Sequence, residues 1–158
     1  MRPKFSEELE KQMELNDKIF VLTGDLGYGM WNKIRDKFPD RFINTGAAEH
    51  SLLGIASGLA LEGKIPFVYS ITPFLIYRPF EVLRTYIDHE NIPVKLIGSG
   101  RDKDYEHDGF SHDASDVKKF LDPLLNIKQY YPESPDEIPG LIENVILLNS
   151  PVFVSLKR

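Results

Sequence analysis

The stretch Arg41-Phe42-Ile43-Asn44-Thr45-Gly46-Ala47-Ala48-Glu49-His50 joins a short β-rich run to the start of a helical pattern through one glycine. Between Glu49 and Leu61, Leu52, Leu53, Ile55, Ala56, Leu59 and Ala60 cover most of a helix circumference, which predicts a helix buried nearly all round. The same alternation continues outward in both directions. Runs dense in Val, Ile, Phe or Tyr fall at Lys18–Thr23, Arg41–Asn44, Ile65–Ser70, Val94–Ile97, Ile127–Tyr130 and Val152–Leu156, with helical patterns between them. Short apolar strands alternating with helices predict an α/β fold: a doubly wound, mostly parallel sheet with helices on both faces.

Several helix ends carry their own signals. Ser6, followed by Glu7 and Glu8, reads as a cap with two acids at the positive end of a first helix. Ser134-Pro135-Asp136-Glu137 reads as a capping box with proline at the first helical position, opening the last helix. Phe74 to Glu90 is a further helix, in which Pro79 marks a kink or the true start. Gly98 to Ser115 is the one irregular stretch, polar, charged and interrupted by Gly98, Gly100 and Gly109. A long loop inside a compact domain is more often functional than idle.

Bulk properties narrow the function. The 158 residues fit one domain, residues 1–158, with a core of its own. With no cysteine there is neither a disulfide framework nor a thiolate metal site, which fits a reducing, cytoplasmic location. The longest apolar runs, Phe67–Ile71 and Val145–Leu148, are far too short to span a bilayer, so no membrane partner is expected. The N-terminus is acidic where a signal peptide would be apolar. A formal net charge of −5, with Lys and Arg scattered among carboxylates, argues against a nucleic-acid partner.

Three segments are candidates for chemistry. Gly24-Asp25-Leu26-Gly27-Tyr28-Gly29 lies where a strand ends and a helix begins; it reads either as a tight turn or as a ligand-facing loop, and it is neither a dinucleotide fingerprint nor a P-loop. Glu49 opens an apolar helix, so it reads either as a solvated first-turn acid favoured by the helix dipole or as a carboxyl group short of water and able to move a proton. His107-Asp108-Gly109-Phe110-Ser111-His112-Asp113 matches no common metal-ligand spacing, and we expect no metal bound by this chain's own residues. It reads as a solvated polar loop or as an active-site loop presenting Asp108 and His112. Phe74, Tyr77 and Phe80, at helical spacing, read as core packing.

Taken in order, these pieces resemble the pyrimidine-binding domain of transketolase. The strand, the Gly46 turn and Glu49-His50 opening the small-residue helix Gly54-Ile55-Ala56-Ser57-Gly58 are similar to that family's pattern, and Asp108-Gly109-Phe110-Ser111-His112 resembles its Asp-Gly-Pro-Thr-His loop. The resemblance runs from about Ile19 to the C-terminus. It implies thiamine diphosphate, with Mg²⁺, as cofactor. Glu49 then matches the catalytic glutamate that hydrogen-bonds the cofactor's aminopyrimidine, Asp25 an acid near the cofactor, and Phe74 or Tyr77 the aromatic stacked on the pyrimidine. Asp108 and His112 match residues that bind the hydroxyls of a keto-sugar donor and its adduct, His112 with a catalytic part. The implied reaction is transfer of a two-carbon ketol unit between sugars.

The departures from the family pattern shape the rest of the expectation. The diphosphate-binding domain, with its Gly-Asp-Gly and Asn-Asn, and the family's C-terminal domain have no counterpart in residues 1–158. A separate diphosphate-binding subunit is therefore expected to hold the metal and the diphosphate, in an α2β2 assembly without which this chain is inactive. Gly100 stands where a histidine is expected and Tyr131 where an arginine is expected, so a non-phosphorylated or nucleotide-linked sugar fits better than a sugar phosphate, unless Arg101 or Arg78 compensates. Competing readings are the β subunit of a 2-oxoacid dehydrogenase, a deoxyxylulose phosphate synthase relative, and a non-catalytic regulatory or structural relative.

Overall fold

All six expected strands pair in one sheet, in the order β2-β1-β3-β4-β6-β5, and every pairing is parallel. The computed structural model describes all 158 residues. The strands are β1 (Ile19–Thr23), β2 (Phe42–Asn44), β3 (Ile65–Ile71), β4 (Lys95–Ser99), β5 (Lys128–Tyr130) and β6 (Val152–Leu156). Successive side chains on a strand point to opposite faces, and the core divides accordingly. Leu22, Val68, Leu96 and Phe153 face one layer, whereas Val21, Phe67, Ile97, Val152 and Val154 face the other.

The first layer holds α3 (Glu49–Leu61), α4 (Thr72–Tyr77), α5 (Phe80–Val82) and α6 (Val117–Leu121); the second holds α1 (Arg2–Leu15), α2 (Asn32–Lys37) and α7 (Ile138–Leu147). No helix is long and apolar enough to cross a membrane. From β1 the chain moves outward to β2 and then returns to β1's other side as β3. Such a reversal opens a crevice at the strand C-termini, where α/β sheets bind ligands.

Some helix boundaries differ from the sequence reading for identifiable reasons. Helix α1 starts at Arg2, a turn before Ser6, because Pro3 is tolerated in a first turn that needs no N–H from it; Ser6 Oγ donates back to Pro3 O instead of capping. Likewise, α4 opens with Thr72 and Pro73 rather than at Phe74. Pro79 interrupts the helix, which resumes as α5 and continues as a π-helical turn over Leu83–Asp88. The capping box forms as read, with Glu137 Oε1 accepting from the N–H groups of Glu133 and Ser134; a 3₁₀ turn over Pro135–Glu137 then leads into α7. Helix α3 keeps its expected ends but is not buried all round. His50, Ser51, Gly54, Ile55, Gly58 and Leu61 are exposed along one side, because the sheet covers only the face carrying Leu52, Leu53, Ala56 and Ala60.

Gly98, expected in the irregular stretch, lies inside β4. A Cβ there would stand 2.6 Å from Thr72 Oγ1 and 2.9 Å from the Phe153 ring, so only glycine lets the start of α4 rest on the strand. Thr72 Oγ1 uses that approach to donate to Ser99 O at 3.1 Å and Gly100 O at 2.6 Å. Gly98→Ala is expected to destabilise the fold by about 1–3 kcal/mol, the usual range for overpacking a tight core. Urea denaturation monitored by circular dichroism would register this as a lower midpoint at unchanged slope.

Candidate functional site

Asn44, the last residue of β2, ties two loops together at the C-terminal edge of the sheet. Its Oδ1 accepts from the backbone N–H of Asp25 at 2.9 Å and of Gly46 at 2.9 Å. Asp25 is held there in a left-handed conformation with φ 55°, and Tyr28 Oη donates to its carboxylate at 2.9 Å. Gly46, φ 71°, permits the turn that delivers Ala48 and then Glu49 to the start of α3. The loop from Gly24 therefore stays irregular up to Trp31, and α2 begins only at Asn32, later than the sequence reading had it.

Glu49 is 3% exposed, which decides between its two readings: it is a buried carboxyl group, not a solvated one. Gly24 leaves room beside it; a Cβ on that glycine would lie 3.8 Å from Glu49 Oε1. The partner of Glu49 comes from the end of α4. Arg78 Nη1 donates to Oε1 at 2.8 Å and to Oε2 at 2.9 Å, and the Arg78 side chain remains 46% exposed. Removing Arg78 from such a pair costs more than the ~0–1 kcal/mol of a surface bridge, because it would leave the Glu49 carboxylate dry and unpaired.

Phe74 and Arg78 are four residues apart, so they share one face across the end of α4. The Arg78 guanidinium carbon sits 3.7 Å from the Phe74 ring centroid, a cation–π contact. His112 meets the same ring edge-on at 4.8 Å, and Ser111 Oγ lies 3.0 Å from its Nδ1. Glu49, Phe74 and His112 thus come together although 25 and 38 residues separate them in turn along the chain. Tyr77 does not join them. Its hydroxyl donates to Asp116 and its ring packs edge-on against Phe120 at 5.0 Å, on the α6 side. Burial, reinforced by Asp116, pushes the Tyr77 phenol well above the usual tyrosine range.

Asp108 lies on an exposed 3₁₀ turn with its carboxylate 3.3 Å from His107 Nε2, and the adjoining Phe110 is 92% exposed. Gly100 has φ 84°, and a Cβ on it would fall 2.3 Å from the Tyr105 ring. Tyr105 thus fills the space a side chain at position 100 would need, and its hydroxyl lies 3.0 Å from Ser99 Oγ and accepts from Arg2 at 2.9 Å. Arg101, named with Arg78 as a possible compensation for the changed basic positions, is engaged within the chain. Its guanidinium is committed to Glu133, to Pro132 O at 2.8 Å and to Ser155 O.

A family model described as the transketolase pyrimidine binding domain matches residues 1–158. The chain belongs to this family. Among curated relatives, it is 36% identical to a subunit of apulose-4-phosphate transketolase from Actinobacillus succinogenes, over 76% of this chain and 39% of that protein. It is 25% identical to "6-deoxy-6-sulfo-D-fructose transketolase subunit SqwH" of Clostridium sp. strain MSTE9, over 100% of this chain and 49% of that protein. A solved structure described as "Split gene transketolase, inactive beta4 tetramer" superposes with a TM-score of 0.88 at 29% identity, covering 99% of this chain and 50% of that one. The chain thus spans about half or less of the length of these relatives, which include subunits of split transketolases.

Within this transketolase domain, two participants escaped the sequence reading in the roles they hold. Arg78, read as a possible phosphate contact, is the partner of Glu49; its i, i+4 spacing from Phe74 was the available signal. Tyr105 had no signal, because its meeting with Gly100 depends on how the loop after β4 turns back. Asn44→Ala removes the acceptor shared by Asp25 and Gly46 and is expected to destabilise these loops by about 1–2 kcal/mol. Amide hydrogen exchange should show faster exchange at Asp25 and Gly46 with the sheet amides unaffected.

Proposed function

We propose that this chain is the pyrimidine-binding subunit of a split transketolase-like enzyme that transfers a two-carbon ketol unit between sugars. The observation that carries the reading is that one planar hydrogen-bonding cation, Arg78, both pairs with the buried Glu49 carboxylate and lies over the Phe74 ring. A space that accepts a guanidinium in that orientation suits another planar nitrogenous group, the aminopyrimidine of thiamine diphosphate. Thiamine diphosphate, when bound, supplies a carbon nucleophile and an electron sink.

In this reading Glu49 hydrogen-bonds a pyrimidine ring nitrogen and moves a proton there, its burial keeping competing water away. Phe74 provides the stacking face, a choice favoured by its contacts with Arg78 and His112, whereas Tyr77 is engaged by Asp116 and Phe120. Asp25 borders the cofactor from the β1 loop, while Asp108 and His112 meet the hydroxyls of a ketose donor. With position 100 closed by Tyr105 and Arg101 occupied, this chain offers little grip on a phosphate there, which favours a non-phosphorylated or nucleotide-linked sugar or leaves the anionic end to other residues. A separate chain completes the site by holding the diphosphate and Mg²⁺, in an α2β2 assembly. The relatives named as transketolase subunits support the need for a separate partner chain.

Titration calorimetry of thiamine diphosphate with Mg²⁺ should show much tighter binding to this chain mixed with its diphosphate-binding partner than to either chain alone; no binding in a verified complex would defeat the proposal. In that complex Glu49→Gln is expected to slow hydrogen exchange at the cofactor's reactive carbon by about 10²–10⁴-fold, followed by NMR in deuterium oxide. Phe74→Ala should weaken cofactor binding, and Tyr77→Phe should leave affinity unchanged while lowering stability by about 1 kcal/mol. Alanine at Asp108 or His112 should reduce turnover with cofactor affinity intact; an unaltered rate would return that loop to a structural role.

A further inference from the structure

We propose that Arg78 is an internal stand-in for the cofactor's pyrimidine ring, a latch that closes the site in the free chain and must swing out for the ring to bind. The inference rests on the assignment of Glu49 and Phe74 as pyrimidine contacts, and adds a conformational step to it. A pyrimidine ring in that position would make two contacts, a hydrogen bond to the Glu49 carboxylate and a stack on the Phe74 face. Arg78 already makes both. One nitrogen bridges both carboxylate oxygens, at 2.8 and 2.9 Å, and so stands before the edge of the carboxylate that a ring nitrogen would approach. The guanidinium carbon lies over the aromatic face, 3.7 Å from the ring centroid, in the space a stacked ring would need. Two groups cannot occupy that face and that carboxylate together.

The latch is built to open. Arginine stays charged at all ordinary pH values, so it gives way only by moving, not by losing its proton. The Arg78 side chain is 46% exposed, so its charge can be passed to water without crossing the core. The backbone need not follow, since Pro79 fixes the break after α4 and a change of side-chain rotamer suffices to carry the guanidinium away. A closed state that dominates the free chain lowers the apparent affinity for any ring that competes with it, by the fraction of molecules that are open. Glu49 is meanwhile kept paired rather than left as a lone charge in a dry site.

The test uses the intact chain and 4-amino-5-hydroxymethyl-2-methylpyrimidine, the half of the cofactor that these residues would hold, with affinity read from NMR titration. Arg78→Ala is expected to bind this probe about tenfold more tightly than the unmodified chain, the gain for a latch about nine-tenths closed. Glu49→Gln should bind more weakly than either. In the unmodified chain, the guanidinium ¹⁵N resonances of Arg78 should move toward free arginine as the probe saturates, a readout that does not depend on a variant folding. Equal or weaker binding by Arg78→Ala, with binding still dependent on Glu49, overturns the latch and leaves the functional reading standing, as do Arg78 resonances unmoved at saturation. Binding indifferent to Glu49, or none to any form, overturns the pyrimidine-binding reading and the latch with it.

Discussion

All six strands run in the same direction, so every connection that leaves a strand does so at one edge of the sheet and must cross a face to return. That constraint places the β1 loop with Asp25, the β2 turn with Glu49, the start of α4 and the long loop after β4 on a single rim. Reversal of the strand order at β1 opens the crevice between them. Asn44 and Thr72 then fix the spacing, one by bridging the first two loops and the other by fastening α4 to the end of β4. Gly98 makes the second of these possible by bringing helix and strand closer than any side chain would allow.

Two arginines on this rim have opposite fates, and the difference is physical. Arg101 is enclosed by Glu133, Ser155 and the Pro132 carbonyl, with its side chain 11% exposed and its donors committed to the end of β6 and the β5 loop. It is a strut. Arg78 has one buried carboxylate and one aromatic face for company, and water over the rest. Releasing Arg78 would break two hydrogen bonds at a half-exposed position, whereas releasing Arg101 would leave several groups unsatisfied at once.

Helix α3 joins the site to the outer surface of the domain. Its first residue is the buried Glu49, and one of its faces lies on β1 and β3. The other face runs through Ser51, Gly54, Ile55 and Gly58 to Leu61, open along its length in this chain. Apolar residues on both sides of a helix were read as burial nearly all round, yet hydrophobicity reports only a preference for leaving water, not what covers each side.

The sequence by itself determined the fold class, six strands to within a few residues, the span of α3, the capping box before α7 and the family resemblance. These are legible because strand and helix periodicity and cap chemistry are local properties, written within a dozen residues. It also marked out Glu49, Phe74 and His112, but not their relation to one another. It took the tertiary structure to show that Glu49 is dry, that Arg78 is its partner and also lies over Phe74, that Tyr77 is engaged by Asp116 instead, and that Tyr105 closes the space above Gly100. Each depends on which loops a parallel sheet gathers at its rim and on which side of a helix end a residue falls. No local pattern encodes the meeting of segments tens of residues apart.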